Sequence, residues 1–101
     1  MANAARGGMT ADLAAAIDRA AQALLSEGAR EVYVFGSATS GRFGEGSDVD
    51  LAVTGLAPER FLHAMGRAGD LLDRPLHLVD LDEDNPFTRY LRTEGVLERV
   101  G

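Results

Sequence analysis

Apolar residues recur along the chain with two different periods, and each change of period marks an element. Between Thr10 and Gly28, Leu13, Ile17 and Leu24 fall at helical spacing, with Thr10 placed as N-cap, Asp12 in the first turn and Gly28 as a stop. Glu31 to Phe35 is a β-branched and aromatic run closed by Gly36, the pattern of a buried strand. Residues 36–47 are rich in glycine and serine and read as a loop with at most one helical turn after Ser37. Asp48 to Val53 opens by alternating acidic and apolar positions, so Asp48 and Asp50 share one strand face while Val49 and Leu51 take the other. From Pro58 a helix carries Phe61, Leu62, Met65 and Leu72, and Pro75 to Leu81 is a strand. Past the acidic segment DEDNP, a short helix runs near Phe87 to Thr93 and ends at Gly95. The pattern predicts the order α-β-α-β-α-β-α in a single α/β (α+β) unit. Its small three-stranded mixed sheet lies near residues 31–35, 48–53 and 75–81, with helices mainly on one face and the other face dependent on neighbours. Residues 1–9 read as a flexible N-terminus and 10–101 as the domain.

Composition narrows the chemistry. Of the apolar residues, 46% of a 101-residue chain, 16 are alanine, so the core is thin and a homodimer or a complex is expected. A net charge of −6 leaves no basic stripe, and direct nucleic-acid binding is not expected. Every one of the 10 basic residues is arginine, which excludes a phosphate-loop lysine and a Schiff-base amine. The absence of cysteine excludes a thiolate zinc site and a cysteine nucleophile. With no apolar run long enough for a membrane span and no signal-peptide core, a cytoplasmic protein without membrane attachment is expected.

The informative constellation is Gly36-Ser37, ten residues, then Asp48-Val49-Asp50. Two carboxylates on one strand face, with Cα atoms about 6 to 7 Å apart, reach a pair of divalent cations about 3.5 to 4 Å from each other. Ligands that are all oxygen suit Mg²⁺. Upstream, a glycine after a strand allows a sharp turn, and Ser37 offers a hydroxyl and free amides to a triphosphate. Arg42 in the glycine loop and Ser47 beside Asp48 are further candidates to contact that triphosphate. Both halves of the pattern point to a nucleotide triphosphate with its metals.

The segment FGSATSGRFGEGSDVDLAV at residues 35–53, together with RPLHLVDLD and the closing EGVLERV, resembles the nucleotidyltransferase superfamily of the DNA polymerase beta-like fold, in its minimal (MNT) branch. The resemblance implies that Gly36 and Ser37 hold the nucleotide phosphates and that Asp48 and Asp50 bind two Mg²⁺ with ATP as substrate. It also implies a third carboxylate on the next strand. There this chain departs: His77 stands at the expected position, while Asp80 and Asp82, at odd offsets, turn to the opposite strand face. An imidazole removes a hard oxygen ligand from the metals, and it also offers a base toward an attacking hydroxyl. The resemblance further implies a partner, a HEPN-type helical protein that is an RNase toxin, with this chain as the antitoxin that adenylylates a tyrosine on it. Two other readings stand beside transfer to that partner: a catalytically impaired module that neutralises or scaffolds it by contact, and one subunit of an aminoglycoside-type small-molecule nucleotidyltransferase. His63, between Leu62 and Ala64 on the third helix, reads as structural or surface, and the acidic run from Asp80 to Asp84 as a solvated loop or an edge facing a basic partner.

Overall fold

The computed structural model describes residues 11–40 and 48–101. Thr10, residues 1–9, and Arg42 and Ser47 of the glycine loop lie outside that range, as do the expectations that rest on them. Helix α1 (Ala11–Ser26) leads into β1 (Glu31–Phe35), the single-turn α2 (Ser37–Ser40) and β2 (Val49–Thr54). Then follow α3 (Pro58–Asp70), β3 (Leu76–Asp80), α4 (Pro86–Thr93) and β4 (Glu98–Arg99). Among the described residues the sheet has four strands in the order β3-β2-β1-β4, one more than the pattern predicts. β2 lies parallel to β3 and antiparallel to β1, and β4 lies antiparallel to β1, so the sheet is mixed as expected. The additional strand is two residues long and has no alternation to read. The backbone continues its pairing, with Val100 N–H donating to Val32 at 2.8 Å and Val32 N–H donating to Gly101 at 3.0 Å.

Alternation along the strands builds two cores. Val32 and Val34 of β1 and Val49, Leu51 and Val53 of β2 are fully buried against α1 and α3. Those helices meet through small residues, Ala20 and Ala21 on one and Ala64 and Ala68 on the other, all fully buried. The many alanines therefore let two helices approach closely over the sheet. On the opposite face Phe35, Ala52, Val79 and Leu81 pack with Leu91 of α4. The two long helices share one face, as expected, and the short α4 covers the other. α4 carries few apolar residues, and most of the covering falls to Leu91. No helix among the described residues is long and apolar enough to cross a membrane.

The junction of α1 with α3 is tied by charge. Gly28, at φ +118°, lets the chain leave α1. Just before it the buried Glu27 receives Arg67 Nη1 at 2.7 Å, Arg60 Nη2 at 2.9 Å and His63 Nδ1 at 3.3 Å. A carboxylate at a helix C-terminus is disfavoured by the helix dipole, and burial disfavours its charge as well. The Arg67 hydrogen bond, helped by His63 and Arg60, outweighs the burial and holds the Glu27 carboxyl at about 2, against an ordinary 4.5. His63 is therefore structural, as the pattern suggests. A folded-state value below the unfolded one gives stability that is full above pH 4.5 and lost as pH falls toward about 2. Glu27→Gln is expected to lower the melting temperature at neutral pH and to flatten the loss through that acid window. Thermal melts of both chains across the window check it, and Asp84→Asn, at the exposed Asp84–Arg89 pair, is expected to change far less.

Candidate active site

Strand register brings the predicted residues together at one end of the sheet. In the antiparallel pair Phe35 stands opposite Asp50, and in the parallel pair Asp50 stands opposite His77. Phe35, Asp50 and His77 thus form a row across three strands on the face that α4 covers. Asp48, exposed at the head of β2, is two residues before Asp50 on the extended chain, and its charge acts on Asp50.

Asp50 is the best-defined group of the row. Its side chain is 21% exposed, and one carboxylate oxygen lies 3.2 Å from Nδ1 of the half-exposed His77. Burial pushes the Asp50 carboxyl above its ordinary value; the His77 hydrogen bond and charge pull it back, and the charge of Asp48 adds to the rise. The second oxygen occupies the space that a Cβ on Gly36 would fill. Gly36 sits at φ +77°, a backbone shape that side chains resist. Glycine at the end of β1 thus serves two needs, the turn into α2 and the close approach of the Asp50 carboxylate. Gly36→Ala is expected to lower stability by about 2 kcal/mol or more and to remove the site geometry. In the double variant Gly36→Ala/Asp50→Ala the clash is gone and only the backbone strain remains. Part of the stability then returns, which a double-mutant cycle of thermal melts reads directly.

At the start of α2 the Thr39 N–H and hydroxyl both bond to the Gly36 carbonyl, at 3.0 and 2.8 Å, which fixes the turn carrying Ser37. Asp80 ends β3 on the face opposite His77, as its odd offset predicts, whereas Asp82 lies past the strand, in the turn that follows it. Asp80 pairs in register with Val53, and its carboxylate accepts the Asp82 N–H at 2.9 Å, while Asp82 accepts the Gly55 N–H at 2.7 Å. Both close the turn after β3 and stand away from Asp50. Among the described residues no three His, Asp or Glu side chains converge to hold a metal ion. The carboxylates of Asp48 and Asp50 supply hard oxygen donors that fit Mg²⁺, whereas His77 offers a softer nitrogen and has its Nδ1 engaged with Asp50.

The sequence reading missed the aromatic surround. The ring of Phe87, at the start of α4, stacks on His77 with centroids 6.4 Å apart and planes at 21°, and Phe35 meets both rings edge-on at 6.2 Å. Phe87 lies just after Asn85-Pro86. Asn85 caps α4 through a reciprocal pair of bonds with Thr88, and the same cap aims this ring. Nothing in the residue spacing indicates that it meets His77.

Comparison with curated proteins finds no match. The family described as polymerase beta, nucleotidyltransferase matches residues 21–97, a span that holds Gly36, Ser37, both aspartates, His77 and every strand before β4. The chain belongs to the polymerase beta nucleotidyltransferase family.

Proposed function

We propose that the chain transfers AMP from ATP to a hydroxyl of a partner protein, a HEPN-type helical toxin for which it is the antitoxin. The observation that carries the reading is the contact of Gly36 with the Asp50 carboxylate, which gives the phosphate-binding turn and the metal-binding strand one shared space. Asp48 and Asp50 hold Mg²⁺ together with the triphosphate, and Gly36 and Ser37 hold the phosphates. Mg²⁺ bound there offsets the charge of the phosphates and of the departing pyrophosphate. The acceptor oxygen bonds to the α-phosphorus, the bond from that phosphorus to the bridging oxygen breaks, and pyrophosphate leaves. With Asp50 ionised, His77 donates from Nδ1 to it and keeps the lone pair of Nε2 for the proton of the acceptor hydroxyl.

A second reading has its own observation. His77 pairs in register with Asp50, the neighbouring-strand position at which the resemblance implies a third carboxylate, and this favours a module that neutralises its partner by contact alone. Incubation of the chain with ATP labelled at the α-phosphate, Mg²⁺ and the helical protein tests both. Label on the partner supports transfer, and neutralisation without label supports contact.

A further inference from the structure

We propose that the free edge of β3 is a docking site for an extended, basic segment of a partner protein, which adds to the sheet as a fifth strand. The inference is independent of nucleotidyl transfer. β3 ends the strand order, so among the described residues one side of its backbone has no strand beside it. Val49 N–H donates to Pro75 and Leu81 N–H donates to Val53, and in a parallel ladder this phase directs residues 75, 77, 79 and 81 toward β2. The N–H and C=O of Leu76 and Leu78 and the N–H of Asp80 therefore turn outward.

A cleft of about 430 Å³ lies along that edge, between the start of α3 and the segment that leads into α4. Phe61, Leu62 and Phe87 wall it, with Leu62 73% and Phe87 44% exposed. Backbone groups able to pair and apolar walls above and below them are what strand addition uses. Charge selects the occupant. Among the described residues, Asp80 and Glu83 are the charged ones that line the cleft, and no cation lines it. Asp82 and Asp84 follow in the same turn, and the whole chain carries −6. Acidic residues beside an edge repel a second copy of the same edge, and they attract a strand whose Lys or Arg reaches Asp80 and Glu83 while its apolar residues meet Leu62 and Phe87.

The test uses the full chain and a capped heptapeptide of alternating valine and lysine. Its controls are the same peptide with glutamate for lysine and one with prolines that remove the pairing amides. Fluorescence anisotropy is expected to show binding of the lysine peptide alone. Amide exchange at Leu78 is expected to slow about tenfold or more on its addition, since that N–H gains a partner. Glu83→Lys is expected to weaken the lysine peptide about tenfold and to admit the glutamate peptide. Leu62→Gln, at an exposed position, is expected to weaken the binding of the lysine peptide about tenfold while leaving the melting temperature unchanged. Peptide binding without protection at Leu78, equal binding of the proline peptide, or protection that grows with protein concentration when no peptide is present would each overturn the proposal.

Discussion

Asp50→Asn is expected to reduce nucleotidyl transfer on the order of 10³-fold or more and, in the same protein, to raise the melting temperature. The two effects have one cause. Burial raises the Asp50 carboxyl, so the folded chain binds this proton more tightly than the unfolded chain does. Stability from such a group is full below the unfolded value and is lost as pH climbs through the folded value. At neutral pH the ionised Asp50 is therefore a net cost to the fold, borne for the charge it presents. Asparagine keeps the shape, still accepts from His77 Nδ1, and relieves both burial of charge and repulsion from Asp48. A relief of about 0.5 kcal/mol corresponds to roughly 2–4 °C in a domain of this size. Labelled transfer and thermal melts at neutral pH measure the pair, and a variant that melts lower yet still transfers would make Asp50 structural.

The row of Phe35, Asp50 and His77 shows which parts of such a site a sequence exposes. Alternation puts Asp48 and Asp50 on one face, and a parallel strand whose apolar residues continue that alternation brings His77 alongside. These are local rules acting within single strands, and the sheet needs only a register to join them. The β4 pairing and the stacking of Phe87 are different in kind. Glu98 and Arg99 form a strand because Val32 and Val34 already offer an edge, and a two-residue segment has no period of its own. Phe87 reaches His77 through the path of the turn after β3, fixed by Asp82 on Gly55 and by the Asn85 cap. In α4, Phe87, Tyr90 and Leu91 recur at helical spacing, which predicts the helix but not the sheet face that Leu91 covers.

His77 separates catalysis from contact through two substitutions. His77→Gln keeps a polar side chain near Asp50 but has no basic nitrogen. It is expected to lower transfer about 10²- to 10⁴-fold, the usual worth of a positioned general base, while ATP binding changes little because Gly36, Asp48 and Asp50 are untouched. His77→Asp places a third carboxylate in register with Asp50. Without metal, three crowded negative charges and the lost stacking on Phe87 are expected to lower the melting temperature. With Mg²⁺ and ATP the same charges are satisfied, so the gain in stability on adding Mg²⁺ is expected to exceed that of the natural chain; a ligand at 100 times its Kd contributes about 2.7 kcal/mol. Transfer by the aspartate variant persists because the new carboxylate takes over the proton. Under the contact reading the natural chain and His77→Gln are both silent and neutralise the partner equally, and only His77→Asp labels it. Full transfer by His77→Gln would instead remove the imidazole from the reaction and leave Asp50, held by Gly36 on one side and polarised by Asp48 on the other, as the group that takes the proton.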